Sequence, residues 1–154
     1  QALARLKRAG FTTIVITNQS AVGRGMLAPA ALDDLHGRMC AAVREAGGEI
    51  RDIFSCPHHP ERNCTCRKPR LGLIWAARER HAIDLAGACM VGDSARDIAA
   101  ARAAGVGLTV LVRTGNGAAA EKALSGRQDR PQHVAADLAA AVDWIIAHDP
   151  LRAP

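Results

Sequence analysis

The sequence predicts an α/β fold: a doubly wound parallel sheet covered by helices. Three observations carry this. Short apolar, β-branched runs alternate with segments of helical periodicity along the chain, the pattern of successive strand–helix units. The core material is aliphatic and small: 49% of the 154 residues are hydrophobic, yet there are only two Trp, two Phe and no Tyr. The polar residues of interest also recur at the ends of the apolar runs, where such sheets bind their ligands.

Taken in order, Gln1 to Ala9 reads as a helix, with Leu3 and Leu6 on one face and Gly10 as its stop signal. Phe11 to Ile16 (FTTIVI) reads as a buried strand leading into the polar loop TNQS and then GRGML. Pro29 opens a helix in which Leu32, Leu35, Met39, Ala42, Val43 and Ala46 recur at helical spacing until Gly47 and Gly48 end it. EIRDIF is a second strand running directly into SCPHHPERNCTCRKPR, residues 55 to 70. Leu71 to His81 reads as a helix, ACMV (88 to 91) as a short strand, and Ala95 to Ala104 as a helix ended by Gly105. GLTVLV is the next strand, RTGNG its exit loop, and Ala118 to Leu124 a short helix. HVAA gives a brief strand, and Asp137 caps a final amphipathic helix carrying Leu138, Val142, Ile145 and Ile146. No repeat, linker or second domain is evident, so residues 1 to 154 are expected to form a single domain.

Function classes narrow from the same data. No apolar run approaches the roughly 20 residues of a membrane span, and no signal peptide is evident, so a cytoplasmic protein is expected. The formal charge of +5 allows a polyanion partner. Its basic residues are scattered, however, and lack the interleaved aromatics of a base-stacking platform, which argues against nucleic acid. The five cysteines are odd in number, and three of them cluster with His58 and His59 between Cys56 and Cys66. That clustering favours a metal over a disulfide framework, and the absence of Cys-x-x-Cys argues against a redox site. Cys56, His58, Cys64 and Cys66 offer three thiolates and one imidazole, the complement of a closed Zn²⁺ site, with His59 as the alternative imidazole. Cys40 and Cys89, among apolar neighbours, read as inert core thiols, and His36 and His81 as surface residues on helices.

The strand ends are expected to converge on one crevice. Thr17 and Asn18 follow the first strand, the Cys/His/Arg/Lys segment the second, Asp93 the third, and Arg113 and Thr114 the fourth. Hydroxyl and amide donors, two or three cations and one carboxylate suit a phosphate bridged to a divalent metal. Asp93 has a competing role at a helix N-terminus. Asp97 either completes a capping box with Ser94 or joins the site.

VITNQSAVGRG, CPHHPERNCTCRKP, MVGDSARDIAAA and LVRTGNG together resemble the haloacid dehalogenase superfamily. More closely they are similar to the D-glycero-D-manno-heptose 1,7-bisphosphate phosphatases and the related histidinol-phosphate phosphatases, and the likeness covers nearly the whole chain. The resemblance implies a three-layer, Rossmann-like sandwich, a phosphoaspartate mechanism and Mg²⁺. By the same resemblance Thr17 would bond a phosphoryl oxygen with Asn18 beside it, and Lys68 would neutralise charge on the phosphoryl group. Asp93 would ligate Mg²⁺, and the family pattern favours His58 over His59 in the Zn²⁺ set. Arg67 is expected at the phosphate, while Arg24 and Arg113 could hold a second phosphate or sugar hydroxyls, or be ordinary solvated charges.

The family's Asp-x-Asp nucleophile segment, with its central strand, is absent from these residues. The chain is expected to be a fragment of a longer enzyme, a natural remnant being the other reading. By itself it is expected to be inactive. The activity implied is hydrolysis of a small phosphorylated sugar, foremost the 7-phosphate of heptose 1,7-bisphosphate, by a monomer. Histidinol phosphate, or a non-catalytic zinc-bearing module, are the alternatives.

Overall fold

A computed structural model describes residues 1–148. Among the described residues seven helices and five strands follow one another, in the expected alternation apart from α2: α1 (Ala2–Arg8), β1 (Ile14–Asn18), α2 (Ser20–Gly23), α3 (Pro29–Glu45), β2 (Asp52–Cys56), α4 (Gly72–His81), β3 (Cys89–Gly92), α5 (Ala95–Ala103), β4 (Leu108–Val112), α6 (Gly117–Leu124), β5 (His133–Ala135) and α7 (Leu138–Ala147). The chain divides into two compact units, Gln1–Ala77 and the residues from Arg78 onward. None of the described helices is long and apolar enough to cross a membrane.

In the first unit β1 and β2 pair in parallel, with Ile14 opposite Asp52 and Asn18 opposite Cys56, and α3 makes the crossover between them. Pro29 stands at the start of α3, where its missing N–H costs nothing. The buried stripe of α3 is narrower than its hydrophobic spacing predicts: Leu32 is buried and Met39 and Val43 half-buried, but Leu35, one step around the helix, is 47% exposed. Both strands lie further along the chain than their apolar runs suggest. Phe11 N–H still bonds Leu6 of α1, so the run's first residues serve the helix exit, and β1 extends to Asn18. Thr17 and Asn18 are therefore the last residues of a strand, not the loop after it. TNQS-AVGRG also carries a four-residue helix, α2, where the sequence predicted loop.

The second unit is three parallel strands in the order β3-β4-β5, joined by α5 and α6. One buried apolar cluster there joins Ile98 of α5, Leu111 of β4, and Ala120 and Leu124 of α6. Val110 and Leu111 have no exposure, and fully burying each such side chain stabilises by about 1.5–3 kcal/mol. Ser94 and Asp97 form a reciprocal capping box at α5, and Asp137 Oδ1 accepts from Ala140 N–H at α7.

The parallel pairing is as predicted, but its hydrogen bonds run in two ladders. Among the described residues β1 is paired only with β2, and β3 only with β4. Each therefore has one edge without a strand partner.

Candidate metal knot and phosphate site

The two units divide the expected site residues: Thr17, Asn18, Arg24, Arg67, Lys68 and the Cys/His set lie in the first, Asp93 and Arg113 in the second.

In the first unit Cys56 ends β2, and the following residues return on themselves so that four donor atoms meet. Cys56 Sγ lies 3.7 Å from His58 Nδ1 and 3.6 Å from Cys64 Sγ. Cys66 Sγ lies 3.2 Å from His58 Nδ1 and 3.5 Å from Cys64 Sγ. All four lie within 4.8 Å of one another. A tetrahedral ion with Zn–S bonds of about 2.3 Å and a Zn–N bond of about 2.0–2.1 Å spans ligand–ligand edges of about 3.5–3.8 Å. The donor set thus fits such an ion, while its S···S distances far exceed the roughly 2.05 Å of a disulfide. The crowding pulls two of the thiols in opposite directions. Burial opposes the Cys64 thiolate, but hydrogen bonds from Cys66, Cys56, the Arg67 backbone and His58 hold it down to about 6. Burial and the neighbouring sulfurs push Cys66 up to about 12. A divalent cation removes that conflict, since ligating thiols bind it deprotonated.

His59, the alternative imidazole, is used elsewhere: its Nδ1 accepts from Glu61 N–H and caps the 3₁₀ turn Pro60–Arg62. The knot is also fixed from outside. Arg70 Nη1 donates to Cys64 O at 2.6 Å and Nη2 to Asn63 Oδ1. Gly23 at the end of α2 packs so closely that a Cβ would lie 2.2 Å from His59 N and 2.6 Å from Pro57 O. Neither contact was predicted, although glycines in a loop facing a crowded knot are the natural signal for one.

Two residues beyond Cys66, Lys68 is only 9% exposed, and its Nζ donates to Ile16 O at 2.7 Å. Asn18 grips the same residue by its main chain: Lys68 N–H donates to Asn18 Oδ1 at 3.1 Å and Asn18 Nδ2 donates to Lys68 O at 3.2 Å. Thr17 Oγ1 accepts from Gln19 Nε2 at 3.2 Å, and Gln19 N–H is tied to Cys56 O. Arg67 Nη1 is buried without a hydrogen-bond partner. A buried guanidinium donor left unpaired is the feature an anion satisfies. Arg24 is exposed at the end of α2.

In the second unit Asp93 follows β3, and its Oδ2 accepts from Asn116 N–H at 3.1 Å. Gly115, at φ +61°, lies against the same carboxylate. Arg113 forms a two-pronged ion pair with Glu121 at 2.7 and 2.8 Å, which holds the Glu121 carboxyl below its usual range and engages the guanidinium expected to meet substrate. Asp97 does complete the capping box: 6% exposed, its Oδ2 accepts from Ser94 N–H and Oγ–H. The half-buried Cys89 thiol is pushed up to about 12 by burial, as an inert core thiol should be.

A HAD-hydrolase-like family model matches residues 65–141. The D-glycero-beta-D-manno-heptose-1,7-bisphosphate 7-phosphatase of Bordetella bronchiseptica is 42% identical over 147 residues, covering 95% of this chain and 80% of that protein. The chain belongs to the heptose 1,7-bisphosphate phosphatase family of haloacid dehalogenase-like hydrolases. The Pseudomonas putida family member is 47% identical over 116 residues, 75% of this chain and 66% of that protein. Among solved members, the Bordetella phosphatase, complexed with magnesium and phosphate, superposes with TM-score 0.88 at 41% identity, covering 96% of this chain and 80% of that one. The Burkholderia thailandensis heptose bisphosphate phosphatase superposes with TM-score 0.72 at 34% identity over 94% of this chain and 81% of that one. The family fold expected from the sequence motifs is thus the fold observed.

Proposed function

We propose that these residues are the body of a phosphatase that removes the 7-phosphate of D-glycero-D-manno-heptose 1,7-bisphosphate. The observation that carries this reading is the 0.88 superposition on a family member complexed with magnesium and phosphate. The geometry of the first unit supports it: a buried lysine, an arginine with an orphaned buried N–H and a strand-end hydroxyl are what a phosphoryl group requires. Thr17 offers its hydroxyl to a phosphoryl oxygen, while Arg67 and Lys68 offset the charge that gathers on phosphorus substituents. Asp93 would hold part of a Mg²⁺ ion, whose contribution is neutralisation of phosphate charge. The knot of Cys56, His58, Cys64 and Cys66 would hold Zn²⁺ in a closed, non-catalytic role.

The nucleophile is not among these residues, so the 154-residue chain is proposed to be inactive by itself. Its assay is release of inorganic phosphate from heptose 1,7-bisphosphate and from histidinol phosphate. The chain is tested alone and with an Asp-x-Asp strand segment of the kind the family resemblance implies joined ahead of Gln1. The expected outcome is no turnover alone, and a preference of about tenfold or more for the heptose substrate in the joined protein. The opposite preference sinks the heptose assignment, and turnover by the chain alone sinks the phosphoaspartate reading.

A further inference from the structure

We infer that Asn18 is a positioning residue that acts through Lys68 and does not itself touch the phosphate. Both ends of its side-chain amide are engaged in a two-point clamp: the oxygen accepts from Lys68 N–H and the nitrogen donates to Lys68 O. That pairing also fixes which way the amide lies, because a flipped amide would set donor against donor and acceptor against acceptor. The clamp spans 50 residues, from the last residue of β1 to the residue that leaves the metal knot. It acts as one more rung on the end of β1, made by a side chain in place of a strand.

The clamp determines where the ammonium goes. Arg51 N–H bonds Thr13 O and Gln19 N–H bonds Cys56 O, so the odd-numbered residues of this segment face β2. Alternation in a parallel ladder then turns the main chain of Ile14, Ile16 and Asn18 toward the other edge. Lys68 Nζ reaches Ile16 O, on that open edge. Asn18 holds the Lys68 main chain at the top of β1, and the side chain runs back along the strand. The metal knot fixes the loop only up to Cys66, two residues short of the lysine.

The chain contains three lysines, Lys7, Lys68 and Lys122, which makes amine labelling a direct readout. Lys7, half-exposed and 3.1 Å from Glu49, and the exposed Lys122 serve as internal controls. Reductive methylation followed by peptide mass spectrometry is expected to find Lys68 slow. In Asn18→Ala its rate should rise about tenfold, with Lys7, Lys122 and metal content unchanged. In Asn18→Asp, which keeps the acceptor and loses the donor, the rise should be smaller; this variant reads the same effect if the alanine protein fails to fold. Calorimetric titration with inorganic phosphate should show weakened affinity in proportion to the labelling change. In a Lys68→Ala background, Asn18→Ala should cost no further affinity.

Unchanged Lys68 labelling in both variants overturns the positioning role. So does a loss of phosphate affinity that persists in the Lys68→Ala background, because the amide would then be meeting the anion directly. Only the titration depends on the phosphatase reading. If the unmodified chain binds no phosphate while Lys68 labelling still answers to Asn18, that reading fails and the clamp stands.

Discussion

At Gly115 a single hydrogen atom in place of a methyl group shapes the setting of Asp93, the proposed Mg²⁺ ligand. The residue sits at φ +61°, and a Cβ there would lie 2.2 Å from Asp93 Oδ2. Only glycine lets the loop come close enough for Asn116 N–H to bond that oxygen, leaving Oδ1 as the freer of the two for a cation. Gly115→Ala is therefore expected to displace the carboxylate and weaken Mg²⁺ binding by about tenfold or more, with the left-handed backbone adding about 1 kcal/mol of strain. Titration of the protein with Mg²⁺, followed by calorimetry, checks this; unchanged affinity would remove Asp93 from the metal assignment. At this scale the sequence is legible only where partners are near neighbours. Cys56 to Cys66 could be read as one cluster because all the donors fall within eleven positions, whereas the Asn18 clamp on Lys68 joins residues 50 apart and left no local signal. The choice of His58 over His59 came from family likeness, and its physical reason, the commitment of His59 to Glu61, needs coordinates.

Among the elements, helices were more legible than strands because their ends carry chemical punctuation. Pro29 at the start of α3, Asp137 before α7 and Gly105 after α5 fixed boundaries to within about a residue. Strand ends are set by pairing instead. The apolar run Phe11–Ile16 does not reveal that Phe11 is held by α1, nor that β1 continues through Thr17 and Asn18 alongside Ser55 and Cys56. The cap of α5 makes a test at this scale. Ser94 Oγ accepts from Asp97 N–H and donates to Asp97 Oδ2, so Ser94→Ala removes both bonds and leaves a buried carboxylate short of one donor. The expected cost is about 1–2 kcal/mol, read as a lowered urea midpoint with an unchanged slope. A stability loss below about 0.5 kcal/mol would mean that other bonds to Asp97 carry the helix start.

For the whole molecule, the metal knot and the apolar cluster around Ile98 belong to different compact units, and that division has a measurable consequence. All four knot ligands lie before Ala77, while Ile98, Leu111, Ala120 and Leu124 lie after it and owe nothing to a metal. In the first unit β1 and β2 are only half-buried along most of their length, so apolar burial alone gives them modest support. There the knot ties β2 to α2 through Gly23 and to the start of α4 through Gly72, whose N–H bonds Thr65 O. Removing the ion should release these ties together, because ion-binding free energy is folding free energy where the ligands are not otherwise held. Hydrogen exchange read by mass spectrometry before and after chelation is expected to show protection lost across residues 52–72. Protection of Val110–Val112, at the centre of the second unit's ladder, should persist. Cys64→Ser should reproduce the chelated pattern and lower bound Zn²⁺ from about one ion per chain to none. Loss of protection in β4 as well would mean that the metal governs both units as one cooperative fold. Unchanged protection in residues 52–72 would mean that side-chain packing, without the ion, holds the lysine-bearing loop in place.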